Sequence, residues 1–173
     1  AAELDGGQRA PENLFVTEEE IERARAEADP EVMEAIRMAA RRIETFHAKQ
    51  LEQSWFMTEG NGSLLGQRLV PLERVACYVP GGRSPLVSTA LMSVVPARVA
   101  GVEHIIAASP AGPSGQLNPY IVLALHEAGA HRILRVGGAQ SIAALAYGTE
   151  SVPRVDKIVG PGNLFVQLAK GLV

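Results

Sequence analysis

The sequence predicts an α/β protein whose parallel sheet is built from βα units, preceded by a helical arm and a β-hairpin. Three observations carry this expectation. From Val75 onward, short β-branched runs alternate with Ala-rich helical stretches, the pattern of repeated βα units. The strands read as near-continuous apolar runs, as strands covered on both faces do. Finally, Arg135-Val-Gly-Gly138 and Lys157-Ile-Val-Gly-Pro-Gly162 each run from a short strand into a glycine turn and then a helix. Glycine at such a turn brings the backbone close to a ligand or adopts positive φ. The following helix offers unpaired N–H groups and the positive end of its dipole, which suits an anion such as a pyrophosphate.

In chain order, residues 1 to 13 carry Gly6, Gly7 and Pro11 and read as loosely held. Thr17-Glu-Glu-Glu20 is a capping-box pattern that starts a helix running to about Ala28. Asp29-Pro30 restarts the chain as cap and first helical residue. In the second helix Val32, Ile36, Ala39, Ile43 and Phe46 recur at spacings of three and four, one apolar stripe for packing on a neighbour or partner. Ser54–Thr58 and Ser63–Val70 flank Glu59-Gly-Asn-Gly62, a hairpin pattern closed by Pro71. Composition changes after that, which places a domain boundary near Arg74.

The βα units then follow. Val75–Val79 is a strand that ends in the Pro80–Pro85 turn, and a helix continues to about Ala100. Glu103–Ser109 is the next strand, and Asn118-Pro119 caps a helix that reaches Ala128 and stops at Gly129. His131–Val136, a helix over Gln140–Tyr147, the strand Lys157–Val159 and a helix from Leu164 complete the order. The ending Lys170-Gly-Leu-Val173 has no polar tail and reads as a truncation.

Bulk properties narrow the class. At 173 residues, with 47% hydrophobic and 20% charged residues, the chain has the balance of a soluble globular protein. A net charge of −3, with no basic cluster beyond Arg41-Arg42, argues against a nucleic-acid partner. Every apolar run is too short to span a bilayer, and the first residues lack signal-peptide character. The single cysteine, Cys77, excludes an internal disulfide and fits the reducing cytosol.

The glycine turns are the main functional feature, although neither is the full dinucleotide fingerprint. Phe165 stands where G-x-G-x-x-G needs its third glycine, and Gly137-Gly138 also lacks the pattern. Nucleotide binding and plain tight turns both remain open on the residues alone. Gln140 and Asn163 are amides at helix starts on the same rim, able to donate and accept towards a ligand. Capping alone also explains Asn163. Tyr78 either presents its ring to a flat cofactor or packs in the core. Arg83 either meets a phosphate or is simply solvated. His126-Glu127 and His131 fail as a zinc protease motif, because the histidines stand five apart with Gly129 between them. His104 reads as structural, and Cys77 inside an apolar strand reads as a small buried hydrophobe rather than a nucleophile. No residues present a recognisable nucleophile triad.

Four longer strings are more specific. Tyr78-Val-Pro-Gly-Gly, Pro96-Ala-Arg-Val-Ala-Gly101, Gly137–Thr149 and Val155-Asp-Lys-Ile-Val-Gly-Pro-Gly-Asn163 closely resemble histidinol dehydrogenase. Leu65-Gly-Gln-Arg68 followed by Pro71-Leu-Glu-Arg74 resembles the family's lead-in. The resemblance runs from the first helices to Val173 and implies an NAD- and zinc-dependent enzyme of histidine biosynthesis. Such an enzyme oxidises L-histidinol through the aldehyde to L-histidine. Its sheets are incomplete Rossmann-like ones with an architecture similar to aldehyde dehydrogenases. The implied NAD contacts are Tyr78, Gln140 and Asn163. Residues 1–74 would be part of a first domain, and 75–173 most of the NAD-side domain. The resemblance further implies a cytoplasmic homodimer, with zinc ligands, substrate residues and a proton-handling Glu-His pair further along than this chain reaches. The chain is therefore expected to be inactive alone, with no catalytic or metal residue assigned in it. Gly82-Arg-Ser-Pro-Leu86 departs from the form expected of many members. That keeps open a sister dehydrogenase of another polar primary alcohol, or a non-catalytic nucleotide-binding or assembly module.

Overall fold

A computed structural model describes residues 14–81 and 86–173. The segment 1–13 and the Gly82–Pro85 part of the predicted turn, with Arg83, lie outside the described residues. Two helices open the described chain, α1 (Glu18–Glu27) and α2 (Pro30–Ala48). A two-stranded antiparallel ribbon follows, β1 (Trp55–Thr58) and β2 (Leu64–Gln67). The βα run is β3 (Arg74–Tyr78), α3 (Val87–Val99), β4 (His104–Ala108), α4 (Pro119–Ala128), β5 (Arg132–Leu134), α5 (Gly138–Tyr147), β6 (Lys157–Val159) and α6 (Leu164–Leu172).

Strands β3 to β6 form one parallel sheet in the order β5-β4-β3-β6. The pleat sends alternate residues to opposite faces. Val75, Cys77, Ile105, Ala107 and Ile133 join a core with α1 to α4. Ala76, Tyr78, Ile106, Ala108 and Leu134 join a second core with α5 and α6. Both faces are therefore covered, which is why these strands carry so few polar residues.

Local chemistry sets the helix ends. The Thr17 hydroxyl accepts from Glu20 N while the Glu20 carboxylate accepts from Thr17 N, a complete capping box. Asp29 and Asn118 cap α2 and α4 ahead of a proline at the first helical position. Gly129 ends α4 at φ +100°, left-handed backbone that disfavours other residues.

The second helix differs from its sequence pattern. Its buried residues are Met33, Ile36 and Ala40, whereas Val32 and Phe46 are exposed. The predicted stripe of Val32, Ile36, Ala39, Ile43 and Phe46 lines an open apolar groove of 860 Å³ against α3. Periodicity located an apolar surface, but the neighbouring helix covers only one margin of it. The hairpin strands are also shorter than expected and exposed at every position.

The arm is tied to the sheet through Arg135. Leu14–Val16 runs antiparallel beside β5, with Val16 N donating to Ile133 O and Arg135 N to Leu14 O. The buried Arg135 guanidinium donates to the Glu20 carboxylate at 2.6 Å and to the Phe15 carbonyl. Burial pushes the Glu20 carboxyl up, but hydrogen bonding to the Thr17 amide and the Arg135 guanidinium outweighs it and holds the group below its ordinary value. Its contribution to stability is thus present above the usual carboxylate range and is lost as pH falls through the lowered value.

Glu20→Gln keeps the capping shape and removes the charge. It should cost about 2 kcal/mol at neutral pH, the scale of a hydrogen bond to a charged group. In denaturant titrations the gap from the parent should persist at neutral pH and shrink as pH falls through and below the usual carboxylate range. A gap independent of pH would show that the ion pair contributes nothing.

Candidate functional site

The connections out of β3 and β6 leave the sheet on opposite faces, because α3 packs on one side and α6 on the other. These two strands are neighbours in the sheet. Their carboxyl ends therefore border a crevice between diverging loops, the place where open α/β sheets bind ligands. The turns after β3, β5 and β6 all open onto this rim, and all three predicted site residues fall on it.

Tyr78 sits at the end of β3 and is only 3% exposed. Its ring packs in the core under α5 and α6, so of the two sequence alternatives the ring takes the core. Its hydroxyl still reaches the rim, where it accepts from Gly138 N at 3.2 Å. Gly138 has φ +69°, and a Cβ there would stand 2.7 Å from Gln140 Oε1. The Gln140 side chain is thereby folded back over the first turn of α5. The N-cap of that helix, Gly137, brings no side chain to its N-terminus.

The third residue arrives through Gly160. That glycine has φ +103° and lies so close to the Tyr78 carbonyl that a Cβ would collide with it. Gly162 is likewise packed against the Val166 side chain. Between these two approaches the chain turns into α6, and Asn163 caps it, its Oδ1 accepting from Val166 N at 3.0 Å. The capping role foreseen for Asn163 is therefore real. Its exposed side chain commits the carbonyl to the helix, and the amide NH₂ remains a donor. Tyr78 is the shared support, touching the β5–α5 turn through its hydroxyl and the β6–α6 turn through its carbonyl.

The N-termini of α5 and α6, each reached through a glycine turn beside Tyr78, are of the kind that suits a pyrophosphate. A metal is a different matter. Among the described residues, no three His, Cys, Asp or Glu side chains gather closely enough to hold an ion. His131 Nδ1 accepts from Ile105 N, and its ring meets the His104 edge. His126 Nδ1 lies 3.3 Å from Arg25. Cys77 is fully buried in β3 with its thiol directed at Ser93 O. Burial pushes that thiol up to about 12, against a smaller opposing effect of Lys170, so it is no nucleophile.

Two features of the rim escaped the sequence reading. Ser109 ends β4 with a buried hydroxyl that has no hydrogen-bond partner among the described residues, directly beneath Gly81. Lys170 donates to the Gly160 carbonyl from the last turn of α6. The spacing of Val166 and Lys170 was the available clue, since residues four apart share a helical face.

The histidinol dehydrogenase family model matches residues 1–173. A histidinol dehydrogenase of Aquifex aeolicus is 55% identical over 170 residues, covering 98% of this chain and 38% of that protein. A histidinol dehydrogenase of Synechococcus is 49% identical over 171 residues, covering 99% of this chain and 39% of its own length. The crystal structure of histidinol dehydrogenase from Elizabethkingia anophelis superimposes with a TM-score of 0.87 at 39% identity, over 92% of this chain and 37% of that one. The chain thus spans about two fifths of the length of the curated relatives it matches.

Gly160→Ala tests the close approach that shapes the rim. It should lower stability by at least about 2 kcal/mol from strained backbone alone. Gly60→Ala, in the open ribbon turn with nothing within 4 Å, should stay within about 0.5 kcal/mol of the parent. Equal denaturation midpoints for the two variants would contradict the packing described.

Proposed function

The chain belongs to the histidinol dehydrogenase family, and from that premise we propose that it forms the NAD-binding part of an enzyme that oxidises L-histidinol to L-histidine. The observation that supports this best is that Tyr78 links the two glycine turns leading to Gln140 and Asn163, its hydroxyl accepting from Gly138 N and its carbonyl lying against Gly160. When bound, NAD supplies the hydride acceptor for each of the two successive oxidations.

The roles of the chain's own residues follow from their chemistry. The amide NH₂ of Asn163 donates to the cofactor while its carbonyl holds the helix cap. Gln140, folded over the start of α5, offers both a donor and an acceptor. The Tyr78 hydroxyl fixes the Gly138 amide and so the direction of the α5 N-terminus. The positive ends of α5 and α6 complement the pyrophosphate charge.

The described residues gather no set of ligands that would hold a zinc ion. In this reading the zinc ligands, the Glu-His pair that removes protons and the residues that hold histidinol come from polypeptide outside these residues. The working enzyme is proposed to be a homodimer in the cytoplasm, without nucleic-acid or membrane partners. Among the described residues, no helix is long and apolar enough to cross a membrane.

Two measurements test the proposal. Calorimetric titration of the chain with NAD should show saturable binding, and Asn163→Ala or Gln140→Ala should weaken it about tenfold, roughly one lost hydrogen bond to a charged ligand. A protein that joins this chain to the remaining family length should produce NADH from histidinol. Binding unaffected by both variants, or oxidation of another alcohol with none of histidinol, would refute the corresponding half.

A further inference from the structure

Lysine side chains ordinarily lay their stems on the protein and keep the ammonium in water. Lys170 departs from this habit. It lies four residues after Val166, which is fully buried, and eight after Gly162, whose missing Cβ makes room for Val166. Val166 and Lys170 stand four apart within α6 and so share one of its faces. At its far end the Lys170 ammonium turns back and donates to the Gly160 carbonyl at 2.5 Å. A charged donor makes this bond stronger than an ordinary backbone one.

The position of that carbonyl gives the contact its meaning. Gly160 is the residue in left-handed backbone, pressed against Tyr78 O, from which the chain swings to Asn163. A turn with Pro161 between two glycines has few side chains of its own with which to hold its shape. We propose that Lys170 is a positioning residue: its ammonium pins the Gly160 carbonyl, so that Asn163 and the N-terminus of α6 stay aimed at the rim. The consequence for cofactor binding rests on the reading that Asn163 contacts NAD; the holding of the turn does not.

The surroundings fit a fixed ammonium. Burial lowers the Lys170 affinity for its proton, with the Cys77 side chain on β3 working weakly the other way. Arg154, Asp156 and Lys157 line the same small polar pocket beside β6. The Asp156 carboxylate there already accepts from Arg74 N. Lys170, half-buried beside that pocket, donates to a backbone carbonyl.

The test compares Lys170→Met with Lys170→Arg. Methionine matches lysine in helix propensity, so α6 itself should survive either change. Amide hydrogen exchange is read at Val166 and Gln167, whose N–H groups are held by Asn163 Oδ1 and Asn163 O. Lys170→Met should speed exchange at both about tenfold, the size of one lost charge-assisted bond, and Lys170→Arg should restore protection. In NAD titrations Lys170→Met should bind about tenfold more weakly, with Lys170→Arg close to the parent. Unchanged exchange in Lys170→Met overturns the proposal. If exchange rises but NAD affinity does not, while Asn163→Ala does weaken NAD, the positioning role is overturned and only a local bond remains. If the parent chain binds no NAD, the cofactor reading fails, and the exchange data still decide whether Lys170 holds the turn.

Discussion

The rim depends on one close approach, the Gly160 backbone lying against the carbonyl of Tyr78. Ordinary residues cannot make it, because a Cβ would occupy the same space and the backbone there has positive φ. Tyr78 in turn is immobilised by its ring, which is buried between the sheet and two helices. One buried aromatic residue thus supports two glycine turns, the first through its hydroxyl and the second through its carbonyl. Removing the anchor would free both turns at once, whereas altering either turn leaves the other in place.

That anchor exists because the sheet is sandwiched. Strands β3 and β4 are buried at nearly every position, and each face has its own set of helices. Covering both faces forces the chain to change sides between β5 and β6, and the change of sides opens the crevice. The proposed cofactor site therefore rests on a feature of topology, not on a signature string. The full dinucleotide fingerprint is absent, and Phe165 stands in the third glycine's place.

Much of this was legible in the residues. The caps Thr17, Asp29 and Asn118, the stop at Gly129 and the strand Lys157–Val159 fall where local chemistry puts them. These are short-range features, decided by neighbours within four residues. The face of Tyr78 was also readable, from alternation along β3. The bond from Gly138 to its hydroxyl was not, because β5 and β3 become neighbours of neighbours only once β4 lies between them. The α2 stripe shows the same limit. Spacing marks which residues are apolar together, but tertiary packing decides that Met33 and Ala40 are covered and Phe46 is not. Lys170 was overlooked for a chemical reason: a lysine near a helix C-terminus already has a sufficient explanation in the helix dipole.

The exposed ribbon has a practical side. The chain has one tryptophan, Trp55, and it stands in β1, half exposed. Its indole therefore samples the surroundings of the ribbon, and its emission is a gauge of whatever comes to lie over β1 and β2. The phenol of Tyr78 is enclosed at the crevice instead. The ribbon thus carries the chain's single indole label, and whatever comes to cover β1 and β2 can be watched in the unaltered protein.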